Sequence, residues 1–182
     1  MAYNWHMQPG LRPYWIANRA TDWILIVDRS SSVRRFGKPD ILREIEIHLF
    51  GAHMCVVGLR HLRRCLDHLE ALVTHFPDET RKLINAFETA YDASSITTAR
   101  DALEHEEDRV AGRNLGRRGT QYEGDFPNPR VTGRKSYEDR VSMIQVLDED
   151  FELSEVILAA LALDQPLREL AQSIWEELGK AE

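Results

Sequence analysis

The chain has 182 residues, 43 % hydrophobic and 29 % charged, which is ordinary for a soluble globular protein with a real core. Its net charge of −7 argues against a general nucleic-acid binder, because affinity for phosphate comes mostly from Lys and Arg. No apolar run follows a basic start, and none approaches the roughly 20 residues that span a bilayer. We therefore expect no signal peptide and no membrane partner.

The two cysteines, Cys55 and Cys65, lie ten positions apart on one predicted helix. At 1.5 Å per residue this places them about 15 Å apart, too far for a disulfide. They are predicted to be core thiols in a reducing, cytoplasmic compartment.

In chain order, residues 1–12 are predicted as an irregular arm and residues 13–182 as one helical domain. The first helix runs roughly over residues 13–30. Its apolar positions recur at helical spacing: Trp15, Ile16, Ala20, Trp23, Ile24 and Val27.

The longest periodic segment runs from Pro39 to about His75. Its apolar residues are separated by threes and fours throughout: Leu42, Ile45, Leu49, Ala52, Val56, Leu59, Leu62, Leu66, Leu69, Val73 and Phe76. A helix of this length with a near-heptad stripe predicts a bundle or a coiled-coil partner. Gly51 and Gly58 inside it either permit close approach of another helix or mark a bend.

Three histidines of this segment, His61, His68 and His75, repeat every seven residues beside the apolar stripe. Two helical turns separate neighbours by about 10 Å, too far for both to bind one metal ion. They are predicted to be boundary positions at the edge of the stripe.

Pro77 ends the long helix, and Asp78 is predicted to cap a third helix that ends near Ala93. The next helix covers Ser95 to about Gly112, with Ser94, Ser95 or Thr97 as its N-cap. Near the end of the chain, a stretch from Asp150 to Leu178 contains two further helices. The proline in Asp164-Gln-Pro166 separates them, and Gly179 caps the last.

Residues 113–140 differ in character, since they are rich in glycine and proline and have no helical period, and an insertion in the helical domain is predicted at about 113–150. Short strands could begin at Thr120 and at Ser142. From Arg109 to Arg140 there are eight basic and four acidic residues, a net charge of +4. This segment is either a phosphate-contacting surface or a solvated loop. The fold class predicted from the whole pattern is an all-α, up-and-down helical bundle with one long helix and a small loop or β-hairpin insertion.

The clearest candidate catalytic residues in the chain lie on the helix that starts at Ser95. They are Arg100, Asp101 and His105. Asp101, His105 and Arg109 are four residues apart in turn, so they share one helix face. Spacing alone favours the alternative that they are solvated i,i+4 pairs, Arg100 with Glu104 and Asp101 or His105 with Arg109. Phosphate-binding loops, dinucleotide fingerprints and the usual zinc motifs are missing from the sequence. We therefore expect no metal and no cofactor.

The sequence Ala-Arg-Asp-Ala-Leu-Glu-His, residues 99–105, resembles the Arg-x(4–6)-His motif of the HEPN superfamily. Asp101 fills the polar place after the arginine. The architecture resembles the family over roughly residues 13–180, whereas the matched residues span about 97–110. The resemblance implies a metal-independent RNA endonuclease that acts as a dimer through the motif helix. Such an enzyme could be a toxin or a defence effector.

In such an enzyme, His105 would be the general acid–base for attack of a ribose 2′-hydroxyl on the adjacent phosphate. Arg100 would bind the scissile phosphate, and Asp101 would orient the histidine or the arginine. The basic residues that follow would bind the substrate: Arg109, Arg113, Arg117 and Arg118. An antitoxin or another protein is a further expected partner.

Two features depart from the toxin–antitoxin members of the family. The tyrosine of their His-x-Tyr extension is replaced by Glu107, so regulation by nucleotidyl modification of that tyrosine is not expected. Acidic residues surround His105, which would raise its pKa and repel RNA unless the basic segment compensates. Two alternatives stay open: a non-catalytic HEPN-like bundle that binds a nucleotide, small ligand or protein, and an interaction protein that uses the apolar stripe of the long helix.

Overall fold

The structure, a computed structural model, describes residues 9–31, 41–104, 130–134, 140–146 and 149–180. Within these ranges, a 3₁₀ turn at Pro9–Leu11 precedes six helices and three strands. The helices are α1 (Arg12–Ser31), α2 (Ile41–Leu72), α3 (Asp78–Ala90), α4 (Ala93–Glu104), α5 (Ser154–Ala162) and α6 (Asp164–Gly179). The strands are β1 (Arg130–Arg134), β2 (Arg140–Val146) and β3 (Glu149–Glu152). The prediction of an all-α helical bundle with one long helix is confirmed, and a three-stranded sheet is present where a small loop or β-hairpin insertion was predicted.

The centre of the fold is the antiparallel pair of α1 and α2, which pack together along their length. A Cβ atom added at Gly51 would lie 2.8 Å from the carbonyl oxygen of Ser30, and one added at Gly58 would lie 2.8 Å from Cγ2 of Val27. Both distances are below those of real contacts. Of the two roles predicted for these glycines, close approach of another helix is therefore the one observed.

The apolar stripe of α2 faces the chain's own core wherever its side chains are described. Seven of its residues are at most 9 % exposed: Ala52, Val56, Leu59, Leu62, Leu66, Leu69 and Phe76. Against them pack Ala17, Ala20, Ile24 and Val27 of α1. Because this part of the stripe is buried within the chain, it is not open to a partner, as the interaction-protein alternative requires.

Two tryptophans that helical spacing placed on apolar faces lie largely in solvent. Trp15 of α1 is 48 % exposed, and Trp175 of α6 is 52 % exposed. Tyr14 contacts both, with ring centroids 5.8 Å from Trp15 and 5.1 Å from Trp175. Helical spacing thus does not make these two residues part of the buried core, and with Tyr14 they form a surface aromatic group that joins α1 to α6.

The two C-terminal helices divide one residue before the predicted interruption. α5 ends at Ala162, Leu163 is buried at the junction, and α6 begins at Asp164. Pro166 therefore lies in the first turn of α6, where a backbone N–H has no intrahelical partner to lose. Gly179 is the last helical residue and Lys180 takes the C-cap position, which corrects the predicted glycine cap.

The cap predicted for α3 also differs. Asp78 is the first residue of the helix, Pro77 holds the N-cap position, and no side chain caps the helix. Asp78 and Glu79 instead place negative charge in the first turn, where it is favourable for the helix dipole.

The strands form one antiparallel sheet in the order β1-β2-β3. A register shift between Thr132 and Gly133 interrupts the β1–β2 ladder. The strand predicted from Ser142 lies within β2, whereas β3 was not predicted. The strand predicted at Thr120 lies outside the described residues.

The cysteines and heptad histidines lie near their predicted places. Cys55 is buried, Cys65 is half-buried, and neither forms a disulfide bond. His61 stacks on Trp23 at 4.3 Å between ring centroids, and burial, with smaller contributions from Arg64 and Arg19, lowers the pKa of its imidazole. His68 and His75 are exposed. No helix in the described ranges is both long enough and apolar enough to cross a membrane.

Candidate functional site

The helix that carries the arginine of the motif, α4, is fixed on its apolar side. Ile96, Ala99 and Leu103 are at most 8 % exposed. The helix packs on α2 and contacts strands β2 and β3. Helical spacing predicts an apolar stripe on this helix that consists of Ile96, Ala99, Leu103 and Val110. Burial confirms its first three members, and Val110 lies outside the described part of the chain.

The N-terminus of α4 is capped by Asp92, a residue that the sequence prediction did not choose. Its Oδ1 accepts the backbone N–H of Ser94 at 2.9 Å, and its Oδ2 accepts the hydroxyl of Ser95 at 2.6 Å. The hydrogen bond from Ser95, followed by the backbone N–H groups of Ser94 and Ser95, lowers the pKa of the Asp92 carboxyl. The hydroxyl predicted as the cap is therefore a donor to the residue that caps.

Replacing Asp92 with alanine should lower the thermal stability at neutral pH, because orphan N–H groups of the first turn lose their acceptor. The folded-state pKa of Asp92 is depressed below its ordinary value of 3.8. Its contribution is therefore complete above that value and is lost as the pH falls through the folded-state pKa. We expect the difference in melting temperature between wild type and Asp92→Ala to be modest and to disappear at low pH.

Asp92→Asn is the matched control, because asparagine keeps an acceptor at the N-cap but does not titrate. It should melt between the wild type and Asp92→Ala, with a weaker dependence on pH. Equal melting temperatures for wild type and Asp92→Ala across the pH range would contradict the cap.

Arg100 and Asp101 form the described part of the predicted site. Nε of Arg100 donates to Oδ1 of Asp101 at 2.9 Å, and Nη2 donates to the same oxygen. The Arg100 side chain is 19 % exposed and that of Asp101 is 46 % exposed. Two donors on one oxygen hold the guanidinium on the motif helix, so the two residues act as an oriented pair and not as independent surface charges.

The other predicted site residues lie outside the described residues. These are His105, Arg109, Arg113, Arg117 and Arg118. The described helix ends at Glu104, one position before the histidine. The stacking predicted for Asp101, His105 and Arg109 consequently stays a prediction, whereas the partner observed for Asp101 is its neighbour Arg100.

The sheet brings part of the basic segment to the motif helix. β2, which begins at Arg140, and β3 both contact α4. Arg134 and Arg140 are paired across the β1–β2 ladder, and Arg130 is at the opposite end of β1. The backbone topology thus places three basic positions of the segment on a sheet that adjoins α4.

Among the described residues, one acidic group has the spacing to hold a metal ion: Asp67, Glu70 and Glu88, whose carboxylate oxygens lie within 4.8 Å of one another. Arginines already neutralise it. Arg63 bonds Asp67 at 2.9 Å and also bonds Glu88, and Arg81 bonds Glu70. These pairs link α2 to α3, which is a sufficient role for the cluster.

No protein-family model matches the chain, and comparisons with curated proteins and with solved structures gave no match either. The function therefore has to be argued from the residues and their geometry.

Proposed function

We propose that the protein is a metal-independent RNA endonuclease of the HEPN type, with Arg100 and His105 as its catalytic residues. The observation that carries the proposal is the Arg100–Asp101 pair. It holds the arginine of an Arg-x4-His motif largely buried and oriented, on a helix anchored to the core. An arginine that served only as a solvated surface charge would not need to be held in one orientation by a neighbouring carboxylate.

The chemistry follows from the properties of the two side chains. A guanidinium stays charged at all relevant pH values and matches the geometry of phosphate oxygens, so Arg100 would stabilise the charge that develops on the scissile phosphate. The imidazole of His105 would take the proton from the attacking 2′-hydroxyl and return a proton to the leaving 5′-oxygen. The products are a 2′,3′-cyclic phosphate and a 5′-hydroxyl.

Asp101 is a positioning residue in this proposal. Its Oδ1 holds Arg100 from the same helix, which reduces the conformational entropy that the guanidinium would lose when it binds phosphate. Removing Asp101 should therefore weaken substrate binding and catalysis through Arg100, and not by loss of a reacting group.

Substrate would be held by the basic segment and by a second copy of the chain. The sheet that contacts α4 contains three of the eight basic residues between Arg109 and Arg140. On the opposite side from the core, α4 exposes Ser94, Thr97 and Thr98, small side chains that leave room for a partner helix. In the proposal, two chains pair through α4 to form one composite cleft, and an antitoxin-like protein would act by covering it.

The test is cleavage of a single-stranded RNA by purified protein in excess EDTA. A single-stranded DNA of the same sequence is the control substrate. We expect the RNA to be cut to fragments ending in a 2′,3′-cyclic phosphate. The DNA should remain intact because it lacks the attacking 2′-hydroxyl. Solution mass, measured on the same preparation, should correspond to a dimer.

Three results would count against all or part of the proposal. Inert RNA under all conditions would remove the enzymatic function. Cleavage that stops in EDTA, or that leaves 3′-hydroxyl ends, would show a different chemistry. A clean monomer that still cuts RNA would remove the composite cleft while leaving the roles of Arg100 and His105 in place.

A further inference from the structure

An open cleft of about 880 Å³ lies at the end of the bundle, between the turn that follows α2, the first turn of α3 and one face of α6. Neither Arg100 nor Asp101 is among its lining residues. Its volume is within the range of small-molecule sites, which is roughly 300–1,000 Å³. The cleft is therefore a second candidate site, independent of the motif helix.

The residues of α6 that line the cleft recur at intervals of four positions. Leu170, Ile174 and Leu178 form an apolar row, and residues at i, i+4 and i+8 share one helix face. The row of Glu169, Ser173 and Glu177 lies beside it at the rim. This helix thus presents an apolar floor and two carboxylates spaced two turns apart.

The opposite wall has the same two components. Leu72 and Phe76 supply apolar surface after the end of α2, and Glu79 supplies a third carboxylate from the first turn of α3. Leu72 is 44 % exposed, so a large apolar side chain already faces solvent here. Enclosing such a side chain favours a ligand with an apolar body, because it removes apolar surface from water.

The charge of the lining is one-sided. Among the described residues on the lining there are three glutamates and no lysine or arginine, and His75 is the only side chain there that can become a cation. Arg81, close by on α3, is bound to Glu70 and packs over the ring of Phe76. A cleft of this composition favours a positively charged ligand and disfavours an anion.

The carboxylates are not committed to strong partners within the described part of the chain. Lys82 approaches Glu79 at 3.4 Å, but both side chains are 74 % exposed, and an ion pair of this kind contributes little. Glu169 accepts a hydrogen bond from the neutral amide of Gln165 at 2.8 Å, which leaves its charge uncompensated.

We propose that this cleft binds a small amphipathic organic cation, with its apolar body on Ile174, Leu178 and the facing Phe76 and its ammonium group at Glu177. The charge complementarity decides the class of ligand. An anionic metabolite would meet three like charges, and a neutral apolar molecule would leave the rim carboxylates without a partner.

The experiment compares three probes that share a phenyl ring and a two-carbon chain: phenethylammonium, 2-phenylethanol and phenylacetate. Binding to the full chain is measured by calorimetry at low salt, up to millimolar concentration. We expect phenethylammonium to bind most tightly, the alcohol more weakly and the acid least. Added salt should weaken the binding of phenethylammonium but not that of 2-phenylethanol, because salt screens exposed charges.

Variants locate the site. Glu177→Gln should weaken phenethylammonium binding by about two- to fivefold, the effect expected for an exposed ion pair. Glu169→Gln, two turns away on the same helix, should weaken it by less. Ser173→Trp should block all three probes by filling the cleft between these glutamates. Glu176→Gln is the matched control, since Glu176 is on the same helix, bonds Gln172 at 2.7 Å and does not line the cleft.

Three outcomes would overturn the proposal. These are no binding of phenethylammonium at millimolar concentration, equal binding of the cation and the acid, and equal loss of affinity in Glu176→Gln and Glu177→Gln. RNA cleavage by Glu177→Gln should be unchanged, so failure here and failure of the proposed nuclease are separable.

Discussion

Arg100→Ala and His105→Ala are each expected to reduce RNA cleavage in EDTA by at least about a hundredfold. A general acid–base contributes roughly 10²–10⁴-fold to a rate, and one donor to a developing oxyanion contributes about 10²–10³-fold. The measurement is the initial rate of formation of the 2′,3′-cyclic phosphate end. The same two variants also exclude a contaminating ribonuclease, which would cut equally in every preparation.

The matched variants separate charge from geometry at Arg100. Arg100→Lys keeps a positive charge but loses the planar fork, so its rate should lie between those of wild type and Arg100→Ala. Arg168→Ala is the control for a lost surface arginine, because Arg168 is exposed on α6 and pairs with Asp164 at 2.9 Å. It should cut RNA at the wild-type rate.

The positioning role of Asp101 has its own signature. Asp101→Asn keeps an oxygen acceptor for Arg100 and should retain more activity than Asp101→Ala, with most of the loss in KM. If Arg100→Ala and Asp101→Ala both retain wild-type rates while melting normally, the pair is a structural contact only. The proposed catalytic role of Arg100 would then be wrong.

Periodicity was sufficient to predict the core of this protein but not its edges. Spacings of three and four in the α2 stripe correctly identified seven buried residues between Ala52 and Phe76, and Val73 is partly buried. The same spacing includes Trp15 and Trp175, which are about half exposed. A side chain on the right face of a helix is buried only if a neighbour covers that turn, and such neighbours come from tertiary packing. At both tryptophans the neighbour is Tyr14, which covers them only in part.

The candidate site was predictable where its contacts are local in sequence. Arg100 and Asp101 are adjacent, so their pairing needed only a long side chain. The Asp92 cap could also have been read from the sequence, since Asp at the N-cap is as strong a signal as Ser. The cleft could not have been predicted from the sequence. Glu79 and Glu177 are far apart along the chain and line the same cleft only because α3 and α6 pack near each other.

Gly58→Ala should destabilise the fold by about 1–2 kcal/mol, although alanine is the better helix former by up to about 1 kcal/mol. The added methyl group would lie 2.8 Å from Cγ2 of Val27 and 3.5 Å from the carbonyl oxygen of Trp23. Val27 is fully buried, and a β-branched side chain in a helix has one strongly preferred rotamer. Val27 therefore cannot turn away, and α1 has to move off α2.

A double-mutant cycle with Val27→Ala tests this mechanism by urea unfolding. Val27→Ala alone leaves a cavity and is destabilising. In the double variant the new methyl group occupies that cavity, so the two costs should not add, and the coupling should be about 1 kcal/mol or more. Gly179→Ala is the matched control, because nothing lies within 4 Å of a Cβ atom there, and it should be neutral or slightly stabilising. Additive effects at Gly58 and Val27, or a stabilising Gly58→Ala, would mean that this glycine does not set the distance between α1 and α2.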